Sequence, residues 1–218
     1  MTNTLFLILE GPLQAWGERA RWSVRDTAPE PTKSGVVGLL ACALGLQSDE
    51  DLCLLSQQVR VGVRVDRPGV MLVDYHTVSG GVFSAEGKVK KTASTGKPET
   101  VVSHRSYLCD ASFLIAVQAD SDLIERLVEA LRWPKWPVYL GRKSCPPSRP
   151  VLAGTGHFSD IRSALSGKGP ELVRAVLECE LGKGALRRDE IVSRTSRTFN
   201  PRYTLDEWLP GGEKAEVK

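Results

Sequence analysis

The stretch from position 59 to 66 constrains the fold more than any other part of the sequence. Valines alternate with small or charged residues over this stretch, at Val59, Val61, Val63 and Val65. Successive side chains of a β-strand point to opposite faces, so the alternation predicts a strand with one buried and one charged face. A Pro68-Gly69 turn and an apolar segment at 70–78 follow, which predicts that the two strands form a β-hairpin.

The other elements follow in a regular order. A short apolar run at Leu5–Leu9 predicts a strand, and apolar residues at helical spacing after Pro31 predict a helix that ends at Gly45. Later segments predict a helix, two strands, a helix and a short strand, at Asp49–Gln58, Val101–Asp110, Ser112–Ala119, Leu123–Leu131 and Val138–Leu140. This order matches a β-α-β-β-α-β ferredoxin-like unit.

Two segments lie outside that unit. Residues 79–99 are rich in glycine and lysine and have few large apolar side chains, so we expect a projecting hairpin or a loop that becomes ordered on binding. The C-terminal part contains a predicted strand at Leu172–Leu181 and a basic segment at Arg187–Arg202. We therefore predict an α+β fold with a ferredoxin-like core at residues 1–150, a hairpin inserted at 79–100 and a small C-terminal subdomain at 151–218.

The distribution of charge says more than its total. With 29 basic and 26 acidic residues the net charge is only +3. Residues 132–149, however, contain five basic residues and no acid, and residues 87–107 contain five basic residues against Glu99 alone. The predicted helix at 120–129 has the opposite bias. Because a solvated face usually mixes both signs, we expect the two basic segments to face an anionic partner.

Several classes of protein are not indicated. No apolar run approaches the roughly 20 residues that cross a bilayer, and the N-terminal residues lack the pattern of a signal peptide, which predicts a cytoplasmic protein with no membrane partner. The five cysteines form no CxxC pair, so neither a zinc site nor a redox motif is indicated. We expect no metal and no cofactor.

Two polar motifs are suited to binding phosphate. Lys33 and Ser34 lie where a helix is predicted to begin, and a helix N-terminus offers free N–H groups and a positive dipole end. The same residues could simply cap the helix, so this signal is weak. Arg142, Lys143 and Ser144 follow Gly141 at a predicted strand end, where an exposed turn can present two cations and a hydroxyl. The alternative for this turn is a solvated basic loop.

Rings beside polar groups occur on the two predicted strands that flank the insertion. Tyr75 and His76 lie on one, and Arg105 and Tyr107 lie on the other beside His104. Unstacked RNA bases are held by stacking on such rings and by hydrogen bonds to their edges. The alternation of side chains predicts that Arg105 and Tyr107 share a face, which we expect to meet RNA. A lone histidine is more often structural, and a structural role is the alternative for His76 and His104.

Three functions fit these observations. Segregated basic segments with interleaved aromatic residues favour an RNA-binding protein. A metal-independent endoribonuclease is the alternative, because His76 or His104 could act as a general base and a lysine could stabilise the developing phosphate charge. A protein–protein scaffold without RNA contact is the third. No carboxylate cluster for two-metal catalysis and no Ser-His-Asp order is evident.

Five motifs in sequence order resemble the CasD family, a subunit of the type I-E CRISPR surveillance complex called Cascade. They span the first 150 residues, at 11–17, 31–40, 74–78, 107–113 and 139–146. The resemblance implies a RAMP-type ferredoxin-like core with a thumb-like hairpin. It also implies a subunit that grips the 5′ repeat handle of CRISPR RNA and does not cut it, whereas related families of type I-C systems do cut RNA.

The resemblance also implies partners. These are the CasC backbone subunit, the large CasA subunit and target DNA reached only through the complex. With the first motif included, the predicted RNA-binding residues are Gln14, Trp16, Lys33, Ser34, Tyr75, His76, Arg105, Tyr107, Arg142, Lys143 and Ser144. The lysines of the insertion are predicted to meet RNA or a neighbouring subunit, at Lys88, Lys90, Lys91 and Lys97.

Overall fold

The structure is a computed structural model that describes residues 2–18, 23–81, 83, 86–167 and 171–211. Over these residues the elements are β1 (Thr4–Glu10), β2 (Leu13–Gln14), β3 (Val24–Arg25), α1 (Lys33–Leu44), α2 (Asp49–Gln58), β4 (Arg60–Arg67), β5 (Val70–Val78), β6 (Val101–Cys109), β7 (Ser112–Gln118), α3 (Ser121–Arg132), β8 (Leu152–Gly156), α4 (Ile161–Leu165), β9 (Glu171–Cys179), β10 (Ala185–Ser193) and β11 (Thr198–Gly211). The chain is therefore a mixed α/β protein.

Seven strands form the larger sheet, in the order β10-β11-β9-β4-β7-β1-β8, with antiparallel neighbours throughout. β1 lies between β7 and β8, and β4 lies between β7 and β9. The strands after residue 150 thus share hydrogen bonds with the strands before it. The predicted strand at Leu172–Leu181 is confirmed as β9, whereas the division of the chain into a core and a C-terminal subdomain stays a prediction.

Both faces of this sheet are buried at its central strands, β1, β4 and β7. Leu5, Leu7 and Leu9 of β1 belong to the core beneath α1 and α3, whereas Phe6 belongs to a second core beneath α4. This corrects the prediction of a half-buried β4 with a charged face. The face of β4 that was predicted to be charged also packs against protein. A Cβ at Gly62, which lies on that face, would be 2.1 Å from Cγ2 of Ile161 in α4. The side chain of Arg64 is buried on the same face.

A second, four-stranded sheet is built around β6. β5 pairs antiparallel with β6 along its whole length, from Val70↔Cys109 to Val78↔Val101, and the short strands β2 and β3 pair with the other edge of β6. The predicted hairpin of β4 with β5 is therefore wrong. Gly69 adopts φ 74° in the turn between them, and the chain passes there from one sheet to the other. Alternation alone could not show which strand each would pair with.

The predicted helices are confirmed, and their ends are capped as the sequence indicates. The Thr32 side chain accepts a hydrogen bond from the Gly35 N–H at the start of α1, and Gly45 ends the helix with φ 80°. Ser48 caps α2 in the same way. None of the helices in the described part of the chain is long and apolar enough to cross a membrane.

The strand predicted at Val138–Leu140 is absent. Leu140 is buried, but its N–H donates to the Cys145 carbonyl and closes a turn. The apolar residues here therefore anchor a loop. The edge strand that pairs with β1 is instead β8, which starts at Leu152.

Candidate nucleic-acid interface

Three of the motifs singled out in the sequence meet at one end of α1. A Cβ at Gly35 would lie 2.7 Å from Cε3 of Trp16, and one at Gly141 would lie 1.8 Å from the Ala15 carbonyl oxygen. Gly141 also adopts φ 84°, a conformation that favours glycine. The loop after β1, the start of α1 and the turn at residues 141–144 are therefore packed together by glycines that leave no room for a side chain.

Gln14 and Trp16 hold this junction from inside. Nε2 of Gln14 donates to the carbonyls of Leu9 (3.0 Å) and Ala111 (2.9 Å), and its Oε1 accepts from Nε1 of Trp16 (3.1 Å). Both side chains are buried. The structure thus corrects their predicted role: their polar atoms are already hydrogen-bonded inside the protein, so they position the loop and do not contact RNA.

Lys33 is also buried, with 2% of its surface exposed. Its Nζ lies 3.3 Å from Oε1 of Glu178 and 3.0 Å from Oε1 of Glu190. Its backbone N–H donates to Oδ2 of Asp189 at 2.8 Å. The anion at the N-terminus of α1 is therefore a carboxylate of the protein, and the predicted phosphate contact of Lys33 is corrected to an internal ion pair. Ser34 remains partly exposed beside Thr32.

Asp189 is ionised within this network. Burial alone would raise its pKa, but the hydrogen bonds and charge of Arg202 and the N–H of Lys33 outweigh burial and hold the pKa below its ordinary value. Nε and Nη2 of Arg202 donate to its two oxygens at 2.6 and 2.8 Å. The network therefore joins the start of α1 to β10 and β11.

Arg142 clamps β6 to β3. Its guanidinium lies 4.7 Å from the ring centroid of Tyr107 and donates to the carbonyls of Ser106 (3.1 Å), Arg25 (3.0 Å) and Asp26 (3.2 Å). Tyr107 is 6% exposed. The Arg142 guanidinium covers the Tyr107 ring and itself stays partly exposed, so the predicted RNA contacts of these two residues stay predictions. Lys143 and Ser144, at the tip of the turn, are exposed.

The pairing register sorts the side chains of β5 and β6 onto two faces. His76 pairs with Ser103 and Asp74 pairs with Arg105, so these residues share a face, and Arg25 of β3 joins them through its pairing with Arg105. Nδ1 of His76 lies 3.6 Å from Oδ2 of Asp74. Nε of Arg105 donates to Oγ of Ser103 at 3.2 Å. This face therefore contains two neighbouring arginines and a histidine.

Tyr75 and His104 lie on the opposite face. They are cross-strand partners, and their rings meet edge to face with centroids 5.5 Å apart. Tyr75 is exposed, together with Met71 and Val73 on the same face. Because His76 and His104 project from opposite faces of the hairpin, they do not converge on one phosphate. The histidines thus lack the geometry of a paired acid and base.

The sequence analysis missed a cation cluster that spans both sheets. The pKa of Arg25 is lowered, first by partial burial and then by the charges of Arg105, Arg142 and Arg197. Arg197 belongs to the turn between β10 and β11. Among the described residues, Arg25, Arg105 and Arg197 form no salt bridge; we call these three residues the arginine face. Arg197 belongs to the basic segment at 187–202 that the sequence showed, but nothing in the sequence indicated that this segment lies near β3.

The β10–β11 turn is held in place by Asp49 at the start of α2. Oδ2 of Asp49 accepts from Oγ of Ser193 at 2.5 Å and from the Thr195 N–H at 3.2 Å, and Oδ1 accepts from the Arg194 N–H at 3.2 Å. A cavity beside this turn is lined by Gly17, Glu18, Arg188, Ile191, Arg194, Arg197, Thr198 and Phe199. Its one acid, Glu18, is paired with Arg187. The cavity therefore extends the cationic surface next to the arginine face.

The predicted lysines of the insertion lie in the long connection between β5 and β6. Isolated bridges join Phe83 to Val89 and Lys91 to Pro98, and the four lysines are exposed, at Lys88, Lys90, Lys91 and Lys97. They lie on the connection and not on the arginine face. Of the predicted insertion, residues 82, 84 and 85 lie outside the described residues. In the part of the chain that the structure describes, no group of three His, Cys, Asp or Glu side chains could hold a metal ion.

A mixed α/β fold with a cluster of arginines that form no salt bridge with the described residues is typical of a nucleic-acid-binding protein. A family model described as CRISPR-associated protein (Cas_Cas5) matches residues 4–204. The chain is similar to "CRISPR system Cascade subunit CasD" of Escherichia coli (strain K12), with 38% identity over 183 residues that cover 78% of this chain and 79% of the relative. The chain therefore belongs to the Cas5 family of CRISPR-associated proteins.

Two solved structures resemble the whole chain. One, titled "CRISPR RNA-guided surveillance complex", has a TM-score of 0.76 at 29% identity and covers 98% of this chain and 95% of its own. The other, titled "Crystal structure of Cas protein", has a TM-score of 0.68 at 37% identity and covers 98% and 97%. The similarity thus extends over both sheets, including the strands after residue 150.

Proposed function

We propose that this chain is a non-catalytic CRISPR RNA-binding subunit of a type I-E Cascade complex, and that it grips the 5′ repeat handle of the RNA. The observation that carries the proposal is the arginine face: Arg25 and Arg105 are paired neighbours on β3 and β6, the charge of Arg197 acts on Arg25, and none of the three forms a salt bridge with a described residue. Such a cluster is costly unless an anion neutralises it, and a phosphate backbone is the anion that fits a protein of this family.

The exposed residues supply the other contacts. Lys143 and Ser144 extend from the turn whose backbone is fixed by Gly141, so they can reach a phosphate without disturbing the core. Tyr75 and His76 offer rings to unstacked bases, one on each face of the β5–β6 hairpin. Ser34 offers a hydroxyl at the start of α1. The proposed RNA-contacting set is thus the arginine face with Lys143, Ser144, Ser34, Tyr75 and His76.

We propose a ferredoxin-like core for this fold. The order β1-α1-β4-β7-α3-β8, with these strands arranged β4-β7-β1-β8 and antiparallel, supports that assignment. In this scheme residues 79–100 are a thumb inserted between β5 and β6. The core ends with β8, just beyond the predicted boundary at residue 150, and the C-terminal residues after β8 add β9, β10 and β11 at the other edge as a subdomain. The exposed lysines of the thumb favour a contact with RNA or a neighbouring subunit.

The proposed protein partners are the CasC backbone subunit and the large CasA subunit, with target DNA reached only through the complex. β5 supports a protein contact, because it is an edge strand whose Met71, Val73 and Val70 are exposed. An exposed apolar edge strand invites pairing and is normally covered in a working assembly. We expect it to be covered by a neighbouring subunit.

A binding assay with repeat RNA in EDTA tests the proposal. Arg25→Gln with Arg105→Gln should weaken binding of handle RNA and lower the log–log salt slope by about 1.4, since each lost phosphate contact on a single strand contributes about 0.7. Arg126→Gln is the matched control, because Arg126 is an exposed arginine on α3. The RNA should stay intact throughout. Specific cleavage that disappears with His76→Ala or His104→Ala would support the endoribonuclease instead.

A further inference from the structure

A second cavity lies on the other side of Arg194 from the arginine face. It has a volume of about 690 Å³ and is lined by Cys42, Trp136, Pro137, Val138, Tyr139, Lys143, Pro146 and Arg194. A smaller cavity of about 240 Å³ shares Cys42, Trp136, Tyr139 and Arg194 with it and extends to Ser34. Ligand sites commonly occupy about 300–1,000 Å³, so the larger space is of the size that binds a small organic group.

The lining has the chemistry of a nucleotide site. Trp136 and Tyr139 contribute aromatic rings to both cavities, and Lys143 and Arg194 contribute cations. Neither lining contains an acidic residue. Every base has a π-face that stacks on such rings, and the cations suit the phosphate that accompanies the base.

The walls are held in place before any ligand arrives. The Lys135 N–H donates to the Ala43 carbonyl at 2.8 Å, and Sγ of Cys42 donates to the Pro137 carbonyl at 3.3 Å. Nη2 of Arg194 donates to the Gln47 carbonyl at 3.1 Å, and Asp49 fixes its backbone. The prolines on either side of Trp136 restrict the backbone further. A preorganised wall lowers the entropy that binding would otherwise cost.

We propose that the Trp136–Tyr139 cavity binds one unstacked nucleobase of the RNA strand, with its ring stacked on Trp136 or Tyr139 and its phosphate beside Lys143 or Arg194. The inference rests on the proposed function and deepens it, because it assigns a base-binding subsite to residues outside the arginine face. Arg194 borders both this cavity and the cationic cavity at the β10–β11 turn. The phosphates at the arginine face and the base in the cavity therefore belong to one continuous strand.

A cycle of protein and RNA changes tests the subsite. The probe is synthetic single-stranded handle RNA in which one base at a time is replaced by an abasic site, titrated against the full-length chain. With the wild-type protein, one abasic position should weaken binding on the order of 10-fold or more, as expected for a lost stacking contact. With Trp136→Leu, intact RNA should bind that much more weakly, and the same abasic position should have no further effect. Trp136→Phe, which keeps a π-face, should retain most of the affinity.

Trp133→Leu is the matched control. Trp133 lies three residues earlier, is 79% exposed and is absent from both linings, so every abasic RNA should behave with it as with the wild type. Strong RNA binding in which no abasic position couples to Trp136 would overturn the subsite and leave the proposed function standing. Binding lost only from the assembled complex, with no coupling to any base, would mean that a neighbouring subunit fills the cavity. Absence of RNA binding by the wild type would overturn both proposals.

Discussion

Arg142 and Lys143 are adjacent cations with different surroundings. The Arg142 guanidinium bridges three carbonyls and covers Tyr107, whereas Lys143 is exposed at the tip of the same turn. Lys33 is a third cation that the sequence marked for phosphate, and it lies between two carboxylates inside the protein. Three basic residues that the sequence marked for the same role thus have different roles in the structure. Arg142 clamps two strands, Lys143 is exposed, and Lys33 forms an internal ion pair.

Single substitutions at residues 142 and 143 should separate folding from binding. Lys143→Ala should change the free energy of unfolding by no more than about 0.5 kcal/mol and should lower the salt slope of RNA binding by about 0.7. Arg142→Ala should cost about 1–3 kcal/mol of stability, because it removes charge-assisted hydrogen bonds and the contact with Tyr107. Denaturant melts beside salt titrations measure both effects. Equal stability losses in the two variants would refute the clamp.

Removal of Lys33 should lower the free energy of unfolding and should not change the salt dependence of RNA binding. Lys33→Met leaves the carboxylate of Glu190 without its cation and leaves Glu178 with Arg202 alone, at 3.9 Å, and breaking a buried pair costs about 3–5 kcal/mol. We expect a loss near 3 kcal/mol, since these side chains are 14% and 21% exposed. The salt slope of the folded fraction should not change. Unchanged stability with a slope lowered by about 0.7 would instead place a phosphate at Lys33.

At the scale of elements, the β10–β11 turn brings residues of the C-terminal hairpin to the second sheet. Its position depends on Asp49 at the start of α2, which receives two backbone N–H groups and the Ser193 hydroxyl. The turn presents Arg197 to Arg25 and Arg194 to three cavities. The carboxylate of Asp49 thus positions Arg194 and Arg197, although no motif in the sequence linked Asp49 to them.

The contacts of this turn should be lost in acid. The pKa of Asp49 is lowered chiefly by the hydrogen bond from Ser193, and more weakly by those from Thr195 and Arg194. The stabilisation is therefore complete above the unfolded pKa of about 3.9 and is lost as the pH falls through the lower folded value. The protection factors of the Arg194 and Thr195 amides, which are their exchange rates relative to the free peptide at the same pH, should fall over that range. Asp49→Asn should already have lower protection factors at neutral pH, and protection in the wild type that does not change with pH would contradict the assignment.

At the scale of the whole molecule, most local elements before residue 132 were predictable from the sequence and their partners were not. Caps and apolar spacing indicated α1, α2 and α3, and alternation or apolar runs indicated β1, β4, β5, β6, β7 and β9. The pairing of β5 with β6 across the connection was missed, because the Pro68-Gly69 turn suggested a hairpin with β4.

The site was predictable in part, for the same reason. Exposure of Lys143 follows from its glycine turn, but the partners of Lys33 lie 145 and 157 residues away in the chain. The carbonyls that hold Arg142 lie 36 and 117 residues away in the chain, at Ser106 and Arg25. Residue types and spacing indicate what a side chain can bind, whereas long-range packing decides what it does bind.

The proposed function requires that RNA contact the arginine face and the turn beside it. Photo-crosslinking of thiouridine-substituted handle RNA in the assembled complex, followed by mass spectrometry of this subunit, measures that contact. We expect crosslinked peptides from residues 101–109, 139–146 and 193–198, and their loss with Arg25→Gln and Arg105→Gln. Crosslinks confined to the acid-rich surface of α3, or none to this subunit while its neighbours are crosslinked, would contradict the proposed function.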